Sequence, residues 1–202
     1  MSIISDAVDE MEKKLAGSGC DHGVVALSKS SENDICPFLE GVCLEASYGG
    51  KRIFIATSYP LDVKTRVSFM YGQELNSPVQ RTAACAILNS LSSFICFPRI
   101  SGACPEGCGE KCLEELIDET AGRKVYLNGT MPSLRKKLED RIVSDPQSAD
   151  IIIVSGDGLF SDEGLEICDR YKDKKEMLFY APATSALANM LNLRHWCPYG
   201  RK

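Results

Sequence analysis

Three times in its second half the chain repeats a short apolar strand, a loop of small residues and a helix, and this alternation limits the fold more than any other feature. Lys124 to Asn128 is the first strand, and Gly129-Thr130-Met131-Pro132 leads into a helix ending near Val143. Asp150 to Val154 is almost wholly apolar, as suits a parallel strand covered on both faces. Ser155-Gly156-Asp157-Gly158 then opens a helix through about Tyr171. Met177 to Tyr180 is the third strand, followed by Ala181-Pro182-Ala183-Thr184-Ser185 and a helix through Leu191. Successive β-α units imply a parallel sheet with right-handed crossovers. Three strands make a small sheet, so its exposed side must be covered either by the first half or by a second subunit, as in a homodimer.

The first half reads differently. Met1 to Gly17 mixes Asp6, Asp9, Glu10 and Glu12 with Ile3, Ile4, Val8, Met11 and Leu15, the pattern of a surface helix. Val24 to Ser28, Val42 to Ser47 and Arg52 to Thr57 read as strands, and Gly49-Gly50 supplies the positive φ of a hairpin turn between the last two. Ser77-Pro78 provides an N-cap and a first-position proline. The helix it opens carries Val79, Ala83, Ala84, Ile87, Leu88, Leu91 and Ile95 on a wide apolar face. An antiparallel pair on a long helix makes an α+β unit. The expected divisions are 1–97 for that unit, 98–119 for a Cys/Gly-rich connector and 120–202 for the parallel-sheet unit.

Charge and composition exclude several classes. Lys and Arg number 23 against 28 Asp and Glu, a net charge of −5, with no long basic run to neutralise phosphates, so nucleic-acid binding is not expected. The basic residues of the tail, Arg194, His195, Arg201 and Lys202, read as a solvated end. No apolar run approaches the roughly 20 residues that span a bilayer, and the first segment lacks the basic start and unbroken apolar run of a secretion signal. A cytoplasmic protein without a membrane partner is the expectation. Ten cysteines in a reducing compartment are buried small hydrophobes or metal ligands. Cys85 and Cys168, each within an apolar helical pattern, belong to the first kind.

In an open parallel sheet, ligands collect outside the carboxyl ends of the strands. Gly129, Gly156 and Gly158 let a ligand approach the backbone there, although tight turns need glycine for their own sake. There is no G-x-G-x-x-G and no Walker-type sequence, and the carboxylate of Asp157 would repel a phosphate, so no nucleotide is expected. Asp157 suits a metal ion or a polar small molecule, or else closes an Asx turn. Thr184 and Ser185 are helix caps or donors to a carboxylate-like anion. His22 and His195 are the only histidines, and neither sits in a hydrolase pattern such as G-x-S-x-G.

The run Cys104-Pro-Glu-Gly-Cys108-Gly-Glu-Lys-Cys112 places three thiols at equal spacing, with Gly107 and Gly109 free to wrap a metal centre. The spacing is neither the usual C-x2-C or C-x4-C of zinc sites nor a common ferredoxin pattern. An iron–sulfur cluster or another transition metal is the cofactor class it admits. Cys96, Cys197, His195 or an exogenous group would supply a fourth ligand. The alternative is a cysteine-rich loop in a reducing cell.

Gly72-Gln73-Glu74-Leu75-Asn76-Ser77-Pro78, continuing through Arg81-Thr82-Ala83-Ala84-Cys85-Ala86-Ile87-Leu88-Asn89-Ser90-Leu91, resembles the helix signature of the heavy-metal chelation proteins, a family of unknown function. Ala149-Asp150-Ile151-Ile152-Ile153-Val154-Ser155-Gly156 and Ala181-Pro182-Ala183-Thr184-Ser185 are similar to that family's strand-end loops. The resemblance implies an α/β protein in which an α+β enolase N-terminal-like unit precedes a small Rossmann-like parallel sheet unit. It also implies a cleft between the two, faced or supported by Asn76, Arg81 and Asn89. The cysteine run and a shorter connection between the first two Rossmann strands depart from the family pattern. Together these readings predict a protein that holds a transition metal, or a metal-containing small molecule, in the interdomain cleft. The competing reading is an enzyme acting on a small polar metabolite in the same cleft, with Asp157 as general base or metal ligand. A third is an assembly protein without a small ligand, favoured if the strand-end loops are filled by the protein's own side chains.

Overall fold

The computed structural model describes residues 2–32, 35–97, 102 and 104–200. Pro98 to Ser101 and Ala103, in the expected connector, lie outside the described residues, as do Arg201 and Lys202 of the basic tail.

The chain is an α/β protein with two four-stranded sheets. Helix α1 (Ile3–Leu15) starts at Ser2, whose hydroxyl accepts from the Ser5 amide at 3.2 Å, and buries Ile3, Ile4, Ala7, Val8, Met11 and Leu15. Strands β1 (Val24–Lys29), β2 (Val42–Tyr48), β3 (Lys51–Thr57) and β4 (Val63–Arg66) form an antiparallel sheet in the order β3-β2-β1-β4. The β2–β3 turn is the one expected: Tyr48 pairs with Lys51 across Gly49 and Gly50, whose φ angles are 55° and 77°. The fourth strand escapes sequence reading because Val-Lys-Thr-Arg at a sheet edge buries too little to show an apolar pattern.

Helix α2 (Pro78–Phe94) begins with a capping box, Ser77 and Gln80 each bonding the other's backbone amide. Every residue from Arg81 to Ser92 is buried. The expected apolar face is therefore an under-description, since α2 runs between the first sheet and the second half of the chain. Its Ala and Ser residues permit close approach on the sides that lack large apolar groups.

The expected connector contains a helix, α3 (Cys108–Glu119), which buries Cys112, Leu113 and Leu116. Strands β5 (Val125–Asn128), β6 (Ile151–Val154), β7 (Glu176–Tyr180) and β8 (His195–Trp196) form the parallel sheet in sequence order. β8 is a fourth strand too short to carry a pattern. The helix expected to reach Val143 stops earlier, as α4 (Pro132–Lys137) and a 3-10 turn over Glu139–Arg141. The next is broken into α5 (Gly156–Phe160) and α6 (Asp162–Tyr171), because Ser161 turns extended and caps α6 by accepting from the Gly164 amide at 3.1 Å. A 3-10 turn over Pro182–Thr184 precedes α7 (Ser185–Met190).

Alternation along the parallel strands separates two cores. Ile152, Val154, Met177 and Phe179 face α1, α2 and the first sheet. Ile151, Ile153, Leu178 and Tyr180 face Leu113 and Leu116 of α3, Leu134 of α4 and Cys36 from the β1–β2 loop. Both faces of the small sheet are thus covered within one chain, by the first half on one side and by α3 and α4 on the other. Among the described residues no helix is long and apolar enough to cross a membrane.

Candidate functional site

Two regions flank the carboxyl edge of the parallel sheet, and the residues singled out from the sequence divide between them. The first comprises the loops after β5, β6 and β7 with the elements of the first half that meet them. A methyl group on Gly129 (φ 110°) would lie 2.7 Å from the Gly158 amide nitrogen and overlap the Ser155 hydroxyl. One on Gly158 would overlap the Asn128 carbonyl oxygen, and one on Gly156 would lie 2.8 Å from the Ala183 Cβ. The three glycines are therefore accounted for by loops packed against one another.

The polar residues expected at a ligand are likewise engaged. Asp157 accepts from the Ser58 amide at 3.0 Å and the Ser58 hydroxyl at 2.6 Å, tying the end of β3 to α5 in place of an Asx turn. Arg81, 3% exposed, donates to the carbonyls of Phe160 (2.7 Å) and Leu75 (3.1 Å) and pairs with Asp162. Asn89, buried in α2, donates to the carbonyls of Cys85 (2.8 Å) and Ala183 (3.0 Å). Its oxygen accepts from the Ser185 hydroxyl at 2.8 Å and the Ala186 amide at 3.2 Å. The Thr184 hydroxyl donates to the carbonyls of Tyr180 and Ala181, both at 3.1 Å. Neither Thr184 nor Ser185 caps α7 through its side chain. Asn76 stands apart from the others, exposed and bonded to Glu74 at 2.8 Å.

Sequence reasoning missed the central polar residue of this junction, Asn128, because it ends an apolar strand. Its amide donates to the carbonyls of Gly158 (3.3 Å) and Gly164 (2.9 Å) and to the Cys168 sulfur (3.2 Å). Ser155, 1% exposed, is the exception to the satisfied pattern, its hydroxyl having no hydrogen-bond partner. Ala181 adds strain: it holds φ 68° and ψ 175°, a conformation almost confined to glycine. The Trp196 carbonyl, accepting from its amide at 3.1 Å, helps hold it there.

The second region lies on the opposite face of the same sheet edge and gathers cysteines from three segments. All ten cysteines are thiols. Cys43, Cys85 and Cys168 are buried elsewhere, and burial raises the Cys85 thiol to about 12, as befits a small hydrophobe. Cys108 and Cys112 are one turn apart on α3, Cys104 precedes the helix, and Cys197 follows β8. Cys36 enters from the β1–β2 loop, its sulfur 3.8 Å from the Tyr180 hydroxyl. A methyl group on Gly109 would touch the Phe38 and Pro37 rings at 3.2 and 3.3 Å, so the Cys36 segment lies against the first turn of α3.

The tail lies along α3. Tyr199 donates to Glu115 at 2.6 Å, Lys111 sits 5.5 Å from the centre of the Tyr199 ring, and the Gly102 amide donates to the Gly200 carbonyl. Burial pushes the Cys104 thiol up to about 11, and its neighbours Cys197 and Cys108 push the same way. Burial also pushes Cys112 up to about 12, with the Trp196 indole opposing and Cys104, Cys197 and Cys36 adding to the rise. These thiols are near enough to sense one another's charge. Among the described residues, however, no three His, Cys, Asp or Glu side chains are arranged to hold a metal ion.

No protein-family model and no curated protein matches the sequence. The fold is similar to that of a solved protein of unknown function from the DUF364 family of Pyrococcus horikoshii, with a TM-score of 0.51 and 18% identity over 92% of this chain and 82% of that one. At that identity the likeness speaks to the fold, and it places this chain beside an uncharacterised protein.

Proposed function

We propose that this chain is a stoichiometric binding protein for a soft transition-metal ion, taken up when the thiols Cys104, Cys108 and Cys112 at the α3 junction close round it from an arrangement that does not by itself form a metal site. The observation that carries the reading is the packing of the Cys36 segment and the tail against α3, the helix that carries Cys108 and Cys112 one turn apart. Thiolates select Zn(II), Cu(I) or an iron–sulfur cluster over hard cations. The buried indole N–H of Trp196 has no partner, and it lies beside the Cys112 sulfur. A thiolate accepts a hydrogen bond far better than a thiol does, so the donor fits an occupied site. A bound metal there supplies the charge that draws these thiols into their ionised form.

The site proposed is not the interdomain cleft, where the side chains expected at a ligand already bond neighbouring backbone and side-chain groups. A reducing compartment such as the cytoplasm keeps ten cysteines as thiols. The test is anaerobic purification with elemental analysis, followed by titration of metal-free protein with Zn(II) against a chromophoric chelator. One equivalent bound, and lost when Cys104, Cys108 and Cys112 are all replaced by Ser, is the expected result. Retention of that equivalent by the triple variant overturns the proposal.

A further inference from the structure

The two edges of the antiparallel sheet have different surroundings. β3 runs against the 3-10 turn after β7 and leads into Ser58, which is tied to Asp157 of α5. At the opposite edge β4 pairs with β1 on one side only, so its outer backbone edge presents the donors and acceptors that a further strand would use. The register sets Thr65 opposite Val25 and Val63 opposite Leu27, on the face turned toward α2. Lys64 and Arg66 stand opposite Ala26 and Val24 on the outer face. Between β4 and the start of α2 lies an open apolar groove of about 200 Å³, lined by Leu61, Val63, Thr65, Phe69, Val79 and Ala83. Val63 and Val79 are 41% and 42% exposed in it, so the layer between strand and helix is incomplete.

We propose that β4 and this groove are a docking site for an extended acidic segment of another protein, which adds to the sheet as a further strand. A strand laid beside β4 sends alternate side chains to opposite faces. Those on the inner face enter the groove between Val63 and Val79, where apolar groups fit. Those on the outer face come beside Lys64 and Arg66. Ion pairs on this sheet join Arg52 to Glu32 and Glu45, and leave Lys64 and Arg66 without an acidic partner among the described residues. Asp62, just before β4, spends a carboxylate oxygen on the Lys29 amide at 3.0 Å. Glu or Asp at the intervening positions of the incoming strand supplies the missing charge. The same cations disfavour a second copy of this chain. Two β4 strands pairing antiparallel, with their grooves on one side, would set Lys64 of one copy against Lys64 or Arg66 of the other. A lysine on an edge strand thus guards against self-pairing, and toward an acidic strand it becomes an attraction. No thiol takes part, so this surface is independent of the metal-binding reading.

The experiment uses the full chain and fluorescein-labelled synthetic peptides of about ten residues, read by fluorescence polarisation. One peptide alternates Val with Glu, one alternates Val with Lys, and one carries the acidic composition in two blocks. The alternating acidic peptide is expected to bind saturably, about tenfold or more tighter than either of the others, and to weaken as salt is raised. Lys64→Glu combined with Arg66→Glu should reverse the preference toward the Lys peptide, a readout that a merely structural change would not give. Val79→Gln, in the exposed first turn of α2, should weaken the acidic peptide about fivefold. Lys51→Glu, at the β3 edge, should bind as the unaltered chain does. Circular dichroism establishes that each variant is folded. Equal affinity for the acidic and basic alternating peptides, or a preference unchanged by charge reversal at Lys64 and Arg66, overturns the proposal. A dimer in sedimentation velocity that Val63→Glu dissociates would give the edge to a second copy and overturn it as well.

Discussion

The two sides of the parallel sheet's carboxyl edge are built from opposite materials. On the side facing the first half, Gly129, Gly156 and Gly158 allow backbone to touch backbone, and Arg81, Asn89, Asp157 and Asn128 spend their hydrogen bonds on loop carbonyls, amides and hydroxyls. On the side facing α3, the Cys36 sulfur lies beside the Tyr180 hydroxyl, burial keeps Cys104 and Cys112 as thiols, and among the described residues the Trp196 indole donor lacks a partner. Small residues and polar groups at strand ends are thus as consistent with a lock between halves as with a ligand site. The distinction lies in whether the donors and acceptors are used up. In the first region nearly all are, Ser155 excepted, and in the second, among the described residues, the Trp196 indole N–H is not.

The comparison breaks first at Gly158. Gly158→Ala forces a methyl group into the Asn128 carbonyl, where neighbouring backbone has no room to give. Overpacking of this kind costs about 3 kcal/mol, and thermal unfolding should show a Tm lower by on the order of 10 °C. A change under about 1 kcal/mol would show that the loops are looser than their contacts imply. The thiol side should respond to metal instead. Zn(II) at 100 times its Kd should stabilise the chain by about 2.7 kcal/mol, a gain absent from the triple Cys104/Cys108/Cys112 serine variant. Gly158→Ala should keep that gain if the two regions are separate.

Arg81 ranks next. Arg81→Met keeps the apolar stem but leaves the Phe160 and Leu75 carbonyls without their donor, a cost of about 2 kcal/mol by urea denaturation. Asp157→Asn sharpens the contrast from below. Ser58 is exposed and can turn to water, so the substitution should cost about 0.5 to 1 kcal/mol and leave Zn(II) binding unchanged. Loss of metal binding in Asp157→Asn would move the site back to the cleft.

How much of this was legible in the sequence follows from what each signal depends on. Asp-Ile-Ile-Ile-Val is a buried parallel strand in almost any context, and Ser77-Pro78 with Gln80 specifies a helix start from local chemistry alone. β4 and β8 left no trace, because four and two residues cannot show a period and their pairing is set by neighbours. Helix α3 was hidden by Gly107 and Gly109, which read as loop, although Gly107 at φ 82° is only the residue before the first turn. Asp157 was legible as a polar residue in the right loop but not as a partner of Ser58, since sequence gives no sign that the end of β3 arrives there. Cys104, Cys108 and Cys112 were visible by their spacing. The approach of Cys36 and the tail depends on tertiary packing and was not.

The smallest effect tests the far end of α3. Arg194 pairs with Glu176 at the start of β7 and with Glu119 at the end of α3, while Arg123 bonds Glu176 at 2.6 Å. Partial burial pushes the Glu176 carboxyl up, but Arg123 and Arg194 together outweigh it and hold the group below the ordinary carboxylate range. A depressed folded-state value means that the native chain binds this proton less readily than the unfolded chain. The contribution to stability is therefore complete above the unfolded value near 4.5 and is lost as pH falls through the lower, folded value. Because the side chain is 39% exposed, solvent and salt screen the pair, and the contribution is about 0.5 kcal/mol at low ionic strength. Denaturation of Glu176→Gln between pH 3 and 6 should show a correspondingly flatter acid limb than the unaltered chain, and 1 M salt should erase the difference. An unscreened loss of several kcal/mol would instead make this end of α3 as firmly held as the strand-end junction, removing the asymmetry between the two sides of the sheet.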